Sequence, residues 1–258
     1  MQKAGVAAPF CHSQKHSQGE AMPTRFAFRQ VDRRDLGKIL ADGEIRSKNH
    51  RFAQPCHQTS HAQIVGFRGT PAFLLPYGGV VNDYVQFYFS PVTAFSFVIH
   101  RGNVEVKNPA GNLIGMSSIA DRVFLVIKVS DVYGAGLQAC FSDYALNSMA
   151  PMPTVVTEID RLEAHVKWPF FDEGPLVAKI PEIGYEGVCQ YFYDDPASNR
   201  QNRKSARMAE LLVKDALPQT LICCIVTPNE AVYRDALAVA GAHNFRGLIV
   251  NKPSCFIS

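Results

Sequence analysis

Apolar and polar positions first alternate at Arg25-Phe26-Ala27-Phe28, and a period of two predicts a short strand there. The spacing then becomes helical at Leu36, Ile39 and Leu40, with Asp32 where an N-cap belongs, Asp35 at the third helical position and Gly43 at the stop. From Arg46 to Gly79 no period holds, and Pro55, Pro71, Pro76 and the Gly78-Gly79 pair punctuate a loop long enough to be functional or disordered. Asn82–Phe89 predicts an aromatic strand with Tyr84 and Tyr88 on one face and Phe87 and Phe89 on the other. Ser90-Pro91 reads as the N-cap and first residue of a helix that Gly102 ends. Arg122–Val129 predicts a strong strand, and Val155–Val166 a helical stretch within a region rich in Pro, Gly and acids.

The stretch from Arg200 to Thr227 changes character in its middle. Arg200, Arg203, Lys204 and Arg207 lie in a polar run that reads as a loop. Met208–Lys214 follows as a strand with Glu210 near its start; Leu211 and Val213 point one way, Glu210 and Leu212 the other. Pro218 closes it, and Leu221–Val226 is a second, wholly apolar strand. Asn229 caps a helix running through Ala240, and Gly247–Asn251 forms a last short strand. A carboxylate at the head of a buried strand, behind a basic run, suits chemistry with one acid on a polyanionic substrate. A solvated glutamate beside a solvated basic face is the plainer alternative.

Strands and helices mix without a steady βαβ rhythm, which predicts an α+β fold. No G-x-G-x-x-G follows a strand and no G-x-x-x-x-G-K-[ST] is present, so neither of those phosphate cradles is supported. The 258 residues suffice for one sizeable core. Residues 1–22 are polar and read as a disordered leader, leaving a single domain over 23–258. The formal charge of +3 decides nothing by its sum, so a nucleic-acid partner must be argued from where the cations sit. No apolar run approaches the roughly 18 residues of a membrane span, and the seven cysteines form no disulfide framework, which fits a reducing cytoplasm. Cys56, His57, His61 and His50 are a loose group of metal-capable residues without a paired C-x-x-C or an H-E-x-x-H, so no metal site is expected.

Three blocks occur together: F-A-F-R-Q-V-D-R-R-D-L-G-K-I-L-A-D-G-E-I, N-D-Y-V-Q-F-Y-F-S-P-V-T-A-F-S-F-V-I-H-R-G-N, and R-x-A-E-L-L-V-K-D-A-L-P. In this order and spacing the chain resembles the DarT family, DNA ADP-ribosyltransferase toxins of bacterial toxin–antitoxin pairs, over roughly residues 25–228. The resemblance implies an ADP-ribosyltransferase fold related to the poly-ADP-ribose polymerases. It also implies cleavage of NAD at the nicotinamide–ribose bond, transfer of ADP-ribose to a base of single-stranded DNA, and a macrodomain antitoxin as partner. It puts the catalytic glutamate at Glu210 and a catalytic, NAD-holding arginine at Arg68 in I-V-G-F-R-G. The histidine that the family carries in its first strand falls on Ala27, so either the NAD contact is made differently, as through Arg29, or the chain is of a divergent subfamily.

The residues suit these expectations chemically. A carboxylate beside the ribose 2′-hydroxyl stabilises positive charge at the anomeric carbon, and Glu210 can also take a proton from the attacking base. A guanidinium binds pyrophosphate in a fork, with Arg68 the first candidate and Arg29 the second. One face of the Tyr84–Tyr88 strand could stack on nicotinamide. Arg200, Arg203, Lys204 and Arg207 are the candidate DNA contacts. Two rivals remain: an ADP-ribosyltransferase acting on RNA, and a non-enzymatic nucleic-acid-binding module whose NAD site has decayed at Ala27.

Overall fold

The computed structural model describes residues 23–198 and 200–257; the leader read at 1–22 lies outside the described residues. Eight strands form the central sheet: β1 (Phe26–Asp32), β2 (Tyr84–Tyr88), β3 (Arg122–Lys128), β4 (Ala139–Ser142), β5 (Val155–Val156), β6 (Glu210–Lys214), β7 (Ile222–Thr227) and β8 (Leu248–Asn251). Their order across the sheet is β8-β7-β3-β1-β2-β6-β4-β5. Every neighbouring pair is antiparallel except β7–β8, which is parallel. With flanking helices this is the expected α+β architecture.

Five helices matter for the argument: α1 (Leu36–Asp42), α2 (Ala62–Arg68), α3 (Ala94–His100), α4 (Arg203–Ala206) and α5 (Glu230–Ala242). Local chemistry sets several ends as read. Asp32 accepts from the Arg34 amide, and Gly43 terminates α1 in the left-handed region at φ 72°. Asn229 accepts from the Val232 amide at the start of α5, which supplies the crossover between the parallel strands β7 and β8. Leu211 and Val213 enter the main core while Leu212 joins a smaller cluster with Tyr84 and Cys140, so β6 alternates as expected.

Four local readings are corrected. The loop 46–79 contains α2. The third helix starts at Ala94, not Pro91: Thr93 is its cap, while Ser90 Oγ accepts from the Val92 amide and closes a turn. The stretch Val155–Val166 is the β-branched strand β5, then a 3-10 turn and one turn of helix at Leu162–His165. The polar run 200–207 contains α4.

One irregularity in the sheet positions the site. β1 and β3 pair along seven residues, from Phe26↔Lys128 to Asp32↔Arg122, whereas β1 and β2 pair only at Phe28↔Tyr88. Beyond that point the strands part. The Arg29 guanidinium fills the place of the lost ladder, donating from Nη1 to the Gln86 carbonyl at 2.9 Å. The sheet therefore splits into two halves with a cleft between them.

Candidate active site

The cleft is a cavity of about 400 Å³. Phe28–Asp32 of β1 form one wall and Tyr84, Gln86 and Tyr88 of β2 the other. The loop from Arg46 to Ser60, together with Ile64, Val65 and Arg68 of α2, covers it. The long aperiodic loop thus supplies much of the lining. Its sequence carries no repeat because its residues face a cavity and solvent, not a core.

Glu210 opens β6 directly opposite Tyr88 of β2 and is fully buried. Its amide donates to Ser142 Oγ of β4 at 3.0 Å, which pins the strand end. Its Oε1 accepts from Arg68 Nη2 and from the Leu146 amide, the latter at 3.3 Å. Its Oε2 has no partner, and it is the one carboxylate oxygen in that condition among the buried side chains described. An unpaired buried polar atom costs about 1–3 kcal/mol, so such an atom marks a place where a ligand group is missing.

Arg68 ends α2, where the helix dipole favours a cation. Burial alone would lower its guanidinium; the Glu210 carboxylate more than offsets that, and the net direction is upward. Burial, followed by the Glu210 charge, pushes the Tyr88 hydroxyl far above the usual tyrosine range. Tyr88 therefore stays a neutral phenol at the cavity wall. Arg29 is lowered, first by burial, with the Arg68 charge adding to that. Arg68 and Tyr88 line the cavity and Glu210 does not, so the carboxylate sits one layer behind its arginine.

The far end of the cavity is also built from paired charges. Asp35 accepts from the His57 amide at 2.8 Å and from its Nδ1 at 2.7 Å, and Asp32 holds Arg122 and Arg34. His57 is thus occupied by a carboxylate. Among the described residues no three His, Cys, Asp or Glu side chains converge as metal ligands.

The structure brings Arg29, Arg68, Tyr84 and Tyr88 to the same cavity, with Glu210 behind it. Tyr84 is fully buried and donates to the Gly78 carbonyl at 2.9 Å. Ala27 does not belong with them: it is packed in the core and touches no cavity wall. The basic run is also corrected. Arg207 is fully buried and donates to the carbonyls of Phe170, Cys189, Tyr191 and Val92 and to Ser90 Oγ. Arg203 is buried and shares Glu173 with Arg200. Among the described residues, Lys204 alone of the four is exposed and without an ion pair. A guanidinium satisfies carbonyls as readily as phosphates, and the sequence carries no mark of which it meets.

Ser142, the Leu146 amide and Gln86 were invisible in the sequence because they act through strand register and a backbone N–H. His57 and Asp35 lie 22 residues apart and meet only through the fold.

Comparison with known proteins bears on the family and the fold. The chain is 26% identical over 204 residues to a DNA ADP-ribosyl transferase of Thermus sp. (strain 2.9), covering 79% of this chain and 78% of that protein. Its fold matches Thermus sp. 2.9 DarT in complex with ADP-ribosylated ssDNA, with a TM-score of 0.71 at 20% identity over 90% of this chain and 96% of that one. It also matches Thermosipho africanus DarTG in complex with ADP-ribose, with a TM-score of 0.60 at 16% identity, covering 90% of this chain and 51% of that one. The family model described as "ssDNA thymidine ADP-ribosyltransferase, DarT" matches residues 28–257, and the chain belongs to that family.

Proposed function

We propose that this chain transfers ADP-ribose from NAD to a base of single-stranded DNA, thymidine being the base the family description favours. Buried polar atoms without partners carry the reading. Among the described residues, Glu210 Oε2 behind the cleft and Arg68 Nε and Arg29 Nε on its wall have no partner. A dinucleotide offers the hydroxyls and phosphates that such atoms lack, so these residues fit NAD. When bound, NAD supplies a sugar carbon joined to a cationic pyridine leaving group.

Each residue has one task in this reading. Once Arg68 turns toward the dinucleotide, Glu210 Oε2 accepts from a ribose hydroxyl and holds negative charge near the reacting carbon. Before that, Arg68 and the Leu146 amide hold Oε1 and set the direction of the carboxylate. The free donors of Arg68 and Arg29 suit the anionic half of the dinucleotide. Glu210 also takes the proton released by the attacking base nitrogen. Tyr88 stays protonated and keeps the wall neutral beside the carboxylate.

We read the biological role as that of a toxin restrained by a macrodomain antitoxin, acting in the cytoplasm. The likeness to Thermosipho africanus DarTG supports this, since the chain spans about half of that longer protein. No helix among the described residues is long and apolar enough to cross a membrane.

The test is mass spectrometry of oligonucleotides incubated with the protein and NAD, each oligonucleotide lacking one base. A mass gain of one ADP-ribose is expected on those containing the target base. Glu210→Ala should lower the rate by roughly a thousandfold with folding intact. A folded Glu210→Ala protein with full activity would remove Glu210 from the mechanism. Intact NAD, with wild-type protein that still retains DNA, would favour a binding module.

A further inference from the structure

With Arg200, Arg203 and Arg207 bonded internally, a DNA-modifying enzyme needs its phosphate contacts elsewhere. The loop Lys48–Phe52 runs along the solvent side of the cleft. Lys48 both lines the cavity and is exposed, so it stands on the rim. Its Nζ reaches Gln58 Oε1 at 3.5 Å, and Gln58 is the cross-strand partner of Lys107. Lys48 and Lys107 therefore flank one residue. Among the described residues neither they nor Arg51 makes an ion pair. The Lys48 ammonium is held below the usual lysine range, by burial and then by the like charge of Lys107. A nearby acid would have offset that repulsion. Asp83, beside the loop's anchors, is engaged by the Asn49 side-chain Nδ2, the Val80 N–H and Lys214.

An aromatic ring accompanies the cations. Phe52 is 57% exposed, and the Arg51 guanidinium lies 4.7 Å from its centroid. The His50 ring braces the turn, with Nδ1 at 3.2 Å from the Phe52 amide. The loop is anchored by Ser47 N–H to the Asp215 carbonyl at 2.7 Å and by Asn49 N–H to the Asn82 carbonyl at 3.1 Å. Unpaired cations beside an exposed ring, on a braced loop, are what a single strand binds: phosphates meet the cations and a base stacks on the ring.

Resting on the function proposed above, we propose that Lys48, Arg51, Phe52 and Lys107 form the rim that docks the single-stranded DNA. The phosphates flanking the target base meet Lys48, Arg51 and Lys107, and a neighbouring base stacks on Phe52. The target base is thereby delivered over the cleft with its neighbours held outside.

Arg51, Phe52 and Lys107 do not line the cavity, so the rim can be altered without touching NAD. The variant Arg51→Glu/Phe52→Ala/Lys107→Glu should raise KM for a thymidine-containing oligonucleotide about tenfold or more. The slope of log KM against log salt should fall by about 1.4 for two lost phosphate contacts. NAD affinity, measured by calorimetry, should stay within about twofold of the wild-type value. Lys48→Glu should raise the oligonucleotide KM in the same direction. Unchanged KM and salt slope would overturn the rim, and so would an equal loss of NAD affinity. Binding of a fluorescent oligonucleotide to Glu210→Ala protein, with and without the rim substitutions, decides the matter without catalysis. A wild-type protein that transfers nothing would refute the proposed reaction, while this binding difference would still stand or fall by itself.

Discussion

Arg207 makes five hydrogen bonds, to Ser90 Oγ and to the carbonyls of Val92, Phe170, Cys189 and Tyr191. Burial lowers its guanidinium to about 10, and it remains charged at neutral pH. It ties the segment after β2 to the 170 and 189–191 segments, three residues before Glu210. Arg207→Ala would leave several carbonyls buried and unpaired, so a loss of roughly 3 kcal/mol in urea unfolding is expected. A loss below about 1 kcal/mol would show that water replaces the guanidinium there. Glu210 and Arg68 were picked out by resemblance, in A-E-L-L-V and I-V-G-F-R-G, and the fold pairs the two side chains. Arg203 and Arg207 were misread for a general reason: a charged residue declares its charge in the sequence but not its partner. Ala27 was misread differently. Its neighbour Arg29, two residues along the same face, is the side chain that fills the split between β1 and β2.

At the level of elements, strands with strong alternation and helices with side-chain caps were legible within a residue or two. The 3-10 turn capped by Asp32 that leads into α1, with Gly43 at its end, and α5, behind Asn229, are examples. α2 was not, because its seven residues, with Gly66 among them, are too few to display a helical period and none is fully buried. α3 shows how a cap is misassigned. Ser90-Pro91 has the right residue types, yet Thr93 Oγ1 accepts from the Ser96 amide at 3.0 Å while Ser90 serves a turn and Arg207. Thr93→Ala should therefore cost about 1–2 kcal/mol of stability in denaturant titration, as for other N-caps. A change within experimental error would mean that packing of α3, not its cap, holds the helix. The split of the sheet was equally hidden. Nothing in F-A-F-R-Q-V-D or N-D-Y-V-Q-F-Y says that two adjacent strands pair at one position only, and the cleft exists because they do.

At the scale of the whole molecule, one histidine links the segment after β8 to the first strand of the sheet. His100, at the end of α3, is 6% exposed. Its Nδ1–H donates to the Ile257 carbonyl at 2.6 Å, and its Nε2 lies 2.5 Å from the Gln30 amide nitrogen on β1, which donates to it. Phe124 and Phe256 pack on its ring. These bonds require the neutral ring. Burial first, with Arg122 adding to it, lowers His100 to about 4 against the opposing bond to Ile257. An unfolded histidine titrates near 6.5. Between about 6.5 and 4 the unfolded chain binds a proton that the folded chain refuses, so stability falls as pH drops through that window and is fully present above it. The integrated effect is on the order of 3 kcal/mol. Asp32 lies outside the window: burial would raise it, but Arg34 and Arg122 hold it below the usual carboxylate range. Urea unfolding at pH 7 and pH 5 should show the loss in wild-type protein. His100→Gln keeps a donor and an acceptor but cannot titrate, so its stability should be nearly flat over the same range. An equally steep loss in His100→Gln would move the acid sensitivity to another group. A flat wild-type profile would mean that the C-terminal segment opens and solvates His100 before the molecule unfolds.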